Sequence, residues 1–239
     1  MKHFAFALLI LMSPVKTPAG DIRSFILKTD AFLKKYVDNG FVAYAEVKHK
    51  LGEAEDLYKE IGKLDVAHSS SAERKAFYTN AYNIIVIYWI AKHYPIKSPM
   101  DHAGFFDKER HAITGEDLTL NELENKKLLQ PYKDARIHFA LACAAQSCPP
   151  LANFAYTAEK IEEQLSERAA LTLNNKDWIK VYPKQKKVEL SKIFEWYKGD
   201  FNRNGKSSID WINEYREDKI PASYAVGFYE YNWSLNEKK

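Results

Sequence analysis

The chain has two cysteines, Cys143 and Cys148, and both fall in the segment Ile137 to Leu151, IHFALACAAQSCPPL, with His138 a few residues before the first. Three chemistries compete there. In an oxidising compartment the pair can form a disulfide that stiffens a loop, provided the chain turns enough to bring the α-carbons within about 7 Å. Cys143 can instead be a nucleophile with His138 as its base, since a thiol with an ordinary pKa of about 8.5 needs a neighbouring imidazole to supply thiolate near neutrality. A zinc site from His138, Cys143 and Cys148 lacks an evident fourth ligand, so no metal is expected. The bland readings stand beside these. Cys143, flanked by Ala142 and Ala144, suits a small core side chain, and His138 suits a core histidine bonded to a carbonyl.

A second constellation is FYTNAYN. Asn80 and Asn83, three apart, share one face of any helix they occupy, and two amides in an apolar helix are costly unless each finds partners. They can orient a substrate amide or brace the loop Gln146 to Pro150, and bracing is the more usual use of a buried amide. With Ser147 and Cys148 they make up the candidate substrate-binding residues. Glu195 and Asp200 are not spaced to face each other on a helix, which argues against a glycosidase-type carboxylate pair. No Walker loop, dinucleotide glycine motif, Gly-x-Ser-x-Gly or His-Glu-x-x-His is present, and no cofactor is expected.

The elements that must carry these residues are mostly helical. Asp21 can cap a helix bearing Ile22, Phe25, Ile26, Leu33 and Tyr36, ending at Asn39-Gly40. Phe41 to Val47 suits a short strand, and Glu53 to Leu64 a modest helix. Ser70 and Glu73 have capping-box spacing ahead of the strongest helix, about Ala72 to His93, which is apolar nearly all round and therefore central and buried. Thr119 and Glu122 repeat that spacing before a short helix ending ahead of Pro131. Ile137 to Ala145 suits a buried strand or a buried helix equally. Thr157 can cap a helix closing at Asn174-Asn175, and Trp178 to Val181 with Val188 to Leu190 reads as a β-hairpin with a lysine-rich tip. Ser191 caps a helix from Ile193 to Lys198 with Gly199 at its carboxyl end, Ser207 or Ser208 caps another through Tyr215, and FYEYNW is strand-like. Without repeat, linker or composition break, the expectation is a single globular α+β domain over 21–239, its central helix packed on a small, mainly antiparallel sheet.

The first residues, MKHFAFALLILM followed by a Pro- and Ala-containing stretch to Gly20, read as a secretory signal peptide over 1–20. Its apolar run is far short of the roughly 20 residues of a membrane span. Cleavage would remove two lysines and no acid from a formal net charge of +3, leaving the mature chain near neutral. No dense basic stripe suggests nucleic acid, no later apolar stretch has membrane length, and the expected location is the periplasm or the medium.

The motifs FYTNAYN, LTLNELEN, RIHFALACAAQSCPPL, AYTAEKIEEQL and VELSKIFEWYKGDF, in that order, resemble the family called domain of unknown function 547, over about 76–201. The family pattern sets a histidine, a cysteine five residues on, then a Ser-Cys-Pro-like or Ser-Ser-Pro-like segment, matched here by His138, Cys143, Ser147, Cys148 and Pro149. Because serine can replace the second cysteine, the resemblance implies that a disulfide is not obligatory and that Cys143 is the better thiol. A likeness to papain- or transglutaminase-like enzymes is loose: the central helix has no cysteine and no histidine follows His138, so their Cys-then-His order is ruled out. Two functions follow as expectations. One is a thiol-dependent hydrolase or acyl transferase acting on an amide or peptide, with Cys143 as nucleophile and His138 as base. The other is a non-enzymatic module binding a peptide or another envelope protein.

Overall fold

The computed structural model describes residues 21–238, so the leader expected over 1–20 lies outside the described residues. Helix α1 (Ile22–Tyr36) starts as its cap predicts, with the Asp21 carboxylate accepting from the Arg23 amide. It stops before Asn39-Gly40, because those two residues turn a hairpin between β1 (Val37–Asp38) and β2 (Phe41–Val42) with φ of 49° and 86°. Asn-Gly is the pair that tolerates left-handed backbone at both turn positions. Gly40 is needed for a second reason, since a Cβ there would sit 2.7 Å from Cβ of Pro150. The hairpin thus presses directly on the Cys148-Pro149-Pro150 stretch. The expected strand over 41–47 is cut short by α2 (Tyr44–His49), and α3 (Leu51–Lys63) follows.

Helix α4 (Ser71–His93) is the organising element. Every side chain from Lys75 to Ala91 is buried, and its neighbours are α1, α2, α3 and the helical segments that follow it in the chain. Its capping box is complete: the Ser70 hydroxyl accepts from the Glu73 amide and the Glu73 carboxylate accepts from the Ser70 amide. Ser70→Ala is expected to cost about 1 kcal/mol in urea unfolding, the usual worth of such a cap. Buried Lys75 is tolerated because Asp134, at 3.1 Å, and Glu162, at 2.7 Å, both receive its ammonium.

A second two-residue hairpin joins β3 (His111–Ile113) to β4 (Glu116–Leu118). Thr119 and Glu122 then form the predicted capping box at the start of α5 (Leu120–Glu122). The chain continues through a π-helical stretch, Leu123–Leu129, into the short α6 (Gln130–Tyr132), so Pro131 lies within the last turn rather than beyond it. Ile137 to Ala145 is neither of the two elements expected. It begins in a 3₁₀ turn, Ala135–Phe139, and continues as irregular chain.

Helix α7 (Ile161–Leu173) leads to the predicted hairpin of β5 (Lys180–Tyr182) and β6 (Lys187–Leu190), then to α8 (Ile193–Trp196), α9 (Lys198–Phe201), α10 (Ser208–Tyr215) and β7 (Ala225–Phe228). Gly199 falls inside α9, not at a helix end. Strand β6 pairs antiparallel with β5 and parallel with β7. The strand-like tail is only partly a strand: beyond β7 it runs as extended chain, bridging Leu235 to Ala145 and Glu237 to Val42.

The result is one α+β domain with two apolar clusters. The larger surrounds α4, and the smaller packs Phe139, Trp178, Phe194 and Phe201 beside the three-stranded sheet. No described helix is long and apolar enough to cross a membrane.

Candidate functional site

Where the two clusters meet, a cleft of about 270 Å³ opens. Its base is made by Tyr82 of α4, Glu124 of the π-helical stretch and His138 of the 3₁₀ turn. Leu141, Ala142 and the two cysteines line it as well, together with Ile193 and Trp196 of α8 and Tyr231 and Trp233 of the tail.

Irregular backbone around Cys143 is held in shape from below. Asn83, fully buried, donates its amide to the carbonyl of Ala140 at 2.9 Å and accepts from the amide of Ala142 at 2.7 Å. Asn80 does the same for Tyr156, accepting from its amide at 3.0 Å and donating to its carbonyl at 2.8 Å. Both side chains are therefore spent on backbone. They lie under the cleft, not in it, and the loops they brace are Ala140 to Ala142 and Tyr156 rather than Gln146 to Pro150. Ser147 is also occupied, its hydroxyl accepting from the amide of Asn232 at 2.8 Å. Of the four proposed substrate contacts, Cys148 is the one that lines the cleft.

The cysteines form a disulfide, with α-carbons 6.0 Å apart. This settles the alternative that spacing left open, and it puts into a bond the Cys143 thiol that the family resemblance favoured, with a disulfide not obligatory. The physical reason is the backbone at Ala144, whose left-handed φ of 58° turns the chain back between the cysteines. A β-bridge from Ala145 to Leu235 and a hydrogen bond from the Asn236 amide to the Ala144 carbonyl hold that turn. The Cys143 amide donates to the Cys148 sulfur at 2.8 Å, and the Tyr231 hydroxyl lies 3.0 Å from the Cys143 sulfur. Cys148 is buried whereas Cys143 is partly exposed.

His138 is clamped. Its Nε2 meets Oδ2 of Asp200 at 2.9 Å, while its ring packs on Tyr197 and Phe201 with centroids 4.1 and 5.5 Å away. The hydrogen bond from His138, with help from Arg203, holds the Asp200 carboxyl below the usual carboxylate range. Because a carboxylate only accepts, the ring hydrogen belongs on Nε2 and Nδ1 is left as the basic nitrogen facing the cleft. Oε1 of Glu124 lies 3.6 Å from Nδ1, beyond hydrogen-bond reach. Burial pushes the Glu124 carboxyl up, against the opposing pull of His138 and of the Tyr197 and Tyr82 hydroxyls.

Sequence reasoning missed Glu124 and misjudged Asp200. Glu124 had a signal: it stands four residues after Leu120 and four before Leu128, so a carboxylate occupies the apolar stripe of its helix. Asp200 had none, being 62 residues from His138 along the chain.

No curated protein and no solved structure matches the chain. The matched segment begins earlier and ends sooner than the 76–201 read from the motifs, so α8, α9 and Asp200 fall outside it. Residues 66–171, a segment that holds Glu124, His138 and both cysteines, match the model of the family described as Protein of unknown function, DUF547.

Proposed function

We propose that the protein is a thiol-dependent hydrolase or acyl transferase acting on an amide or peptide outside the cytoplasm, latent while Cys143 is bonded to Cys148. The observation that carries this reading is the orientation of His138: Asp200 takes Nε2 at 2.9 Å, and Nδ1 is left facing the cleft that Cys143 also lines. That is the division of labour a general base requires, one nitrogen held and the other free. A dithiol reductant first exchanges with the disulfide, giving its two hydrogens to the Cys143 and Cys148 sulfurs and leaving as its own disulfide; the Cys143 thiol then gives its proton to His138 and the thiolate attacks the amide carbonyl. The leaving amine takes that proton from His138, and the thioester is resolved by water in a hydrolase or by a second nucleophile in a transferase. Asp200 steadies the imidazolium between the two transfers.

The test needs no natural substrate. Oxidised protein is expected not to react with iodoacetamide at pH 7. Protein treated with dithiothreitol, and a Cys148→Ser variant that frees Cys143 without reductant, are expected to be alkylated at Cys143 about tenfold faster than a cysteine peptide, the gain that one unit of pKa depression gives at this pH. His138→Ala in the Cys148→Ser background should remove that advantage. An inert Cys143 in both forms, or a rate indifferent to His138, sinks the reading. It would favour the second one, a non-enzymatic binding module, for which the closed disulfide is the supporting observation.

A further inference from the structure

The cleft beside the disulfide is walled by Trp196, Tyr231 and Trp233, whose ring centroids lie 5.0, 4.7 and 5.9 Å from one another. Trp196 is half exposed, at 49%. Five other aromatic rings carry one of the protein's own lysines, such as Lys180 over Tyr229 at 4.4 Å and Lys75 over Tyr132 at 4.9 Å. Among the described residues no such cation covers this wall, and the cleft is lined by no lysine or arginine. Its one acidic lining residue is Glu124, buried at the base. Arg203, the nearby base, is taken by Asp200.

Aromatic faces attract a cation through their quadrupole, most strongly where water is excluded, and the buried Glu124 carboxyl, met by the His138 ring and the Tyr82 and Tyr197 hydroxyls but by no lysine or arginine, adds a counter-charge. We propose that the cleft binds an ammonium group on an apolar stem, with Trp196, Tyr231 and Trp233 around the cation and Glu124 as its counter-ion. Resting on the acyl-transfer reading, this makes the substrate an amide or peptide carrying a primary amine, as a lysine-type side chain does. The cavity, about 270 Å³, has room for such a side chain.

The experiment is a tryptophan-fluorescence titration of the oxidised protein at pH 7 with acetyl-lysine methylamide and with its neutral counterpart, acetyl-norleucine methylamide. The lysine probe is expected to bind about tenfold more tightly, the difference a desolvated cation–π contact supplies. Glu124→Gln should shrink that preference to about twofold, and Trp196→Ala, at a half-exposed position where folding is safe, should weaken the lysine probe about fivefold with the melting temperature unchanged. Equal affinity for the two probes, no binding of either, or tighter binding of a neutral sugar such as N-acetylglucosamine overturns the proposal. Because the oxidised protein has no thiol, the titration stands or falls apart from the alkylation test: binding without thiol reactivity defeats only the acyl-transfer reading, and thiol reactivity without this preference defeats only the ammonium site.

Discussion

Replacing Asn83 by alanine is expected to lower the stability of the domain by about 4 kcal/mol, because two buried backbone groups lose their partners and each orphaned group costs about 1–3 kcal/mol. The amide bridges the Ala140 carbonyl and the Ala142 amide, and both residues are buried. The measurement is the urea midpoint followed by tryptophan fluorescence. Asn80→Ala supplies the matched control: it orphans the Tyr156 amide and carbonyl in the same manner and is expected to cost a similar amount. The two should part company at the cleft. In Asn83→Ala the backbone leading into Cys143 is released, so iodoacetamide should reach Cys143 of the reduced protein no faster than a free peptide. In Asn80→Ala, whose clients lie elsewhere, the alkylation rate should persist in the fraction that remains folded. Equal midpoints for Asn83→Ala and the parent protein would refute the bracing role.

Acidification is expected to remove about 3 kcal/mol of stability between pH 6.5 and pH 4 through His111 alone. This residue is buried on β3, between α3 and β4, with Nδ1 on the Tyr58 hydroxyl at 3.2 Å and Nε2 without a hydrogen-bond partner among the described residues. Burial pushes its pKa down from 6.5 to about 4, although Glu109 and Asp117 pull the other way. The sign follows directly. A histidine whose folded pKa is depressed is neutral in the fold but protonates readily in the unfolded chain, so the unfolded state binds more protons in that window. The stabilisation is complete above pH 6.5, is lost as the pH falls toward 4, and changes no further below it. At about 1.4 kcal/mol per pKa unit the shift of roughly 2.5 units amounts to about 3 kcal/mol. Carboxylates titrate in the same range, so the informative quantity is the difference between the parent and His111→Phe. The variant's urea midpoint should fall less steeply across this window, and parallel curves would show that His111 does not carry the effect.

How much of this was legible beforehand varies with how locally each feature is decided. The caps of α1, α4, α5 and α10 could be read because a cap is settled within three or four residues, and α4 announced its burial by being apolar on every side. The segment from Ile137 to Ala145 could not be read, because its shape is imposed from outside: Asn83 grips Ala140 and Ala142, and the tail pins Ala144 and Ala145. A run of small apolar residues says only that it is buried. The same limit applied to the chemistry. His138 and Cys143 stood out by type, and Asn80 and Asn83 were recognised as amides needing partners, but whether the partners were substrate or backbone depended on loops distant in sequence. The disulfide was an open alternative on spacing alone, and the left-handed turn at Ala144 that permits it is not one alanine advertises.

The extended chain after β7 contributes two of the three rings of the aromatic wall and ties back to the first quarter of the protein, where the Tyr44 hydroxyl meets Asn236 across 192 residues. Contacts separated by so much chain form late in folding, since the entropy of closing the loop must be met before the contact repays it. Helix α4 and its capped neighbours are short-range and can be in place well before. The order of events this implies is a helical body that gains its protection early and a cleft completed only in the last step, so amide exchange should find Gln146, Ser147 and Leu235 opening together, ahead of everything on α4.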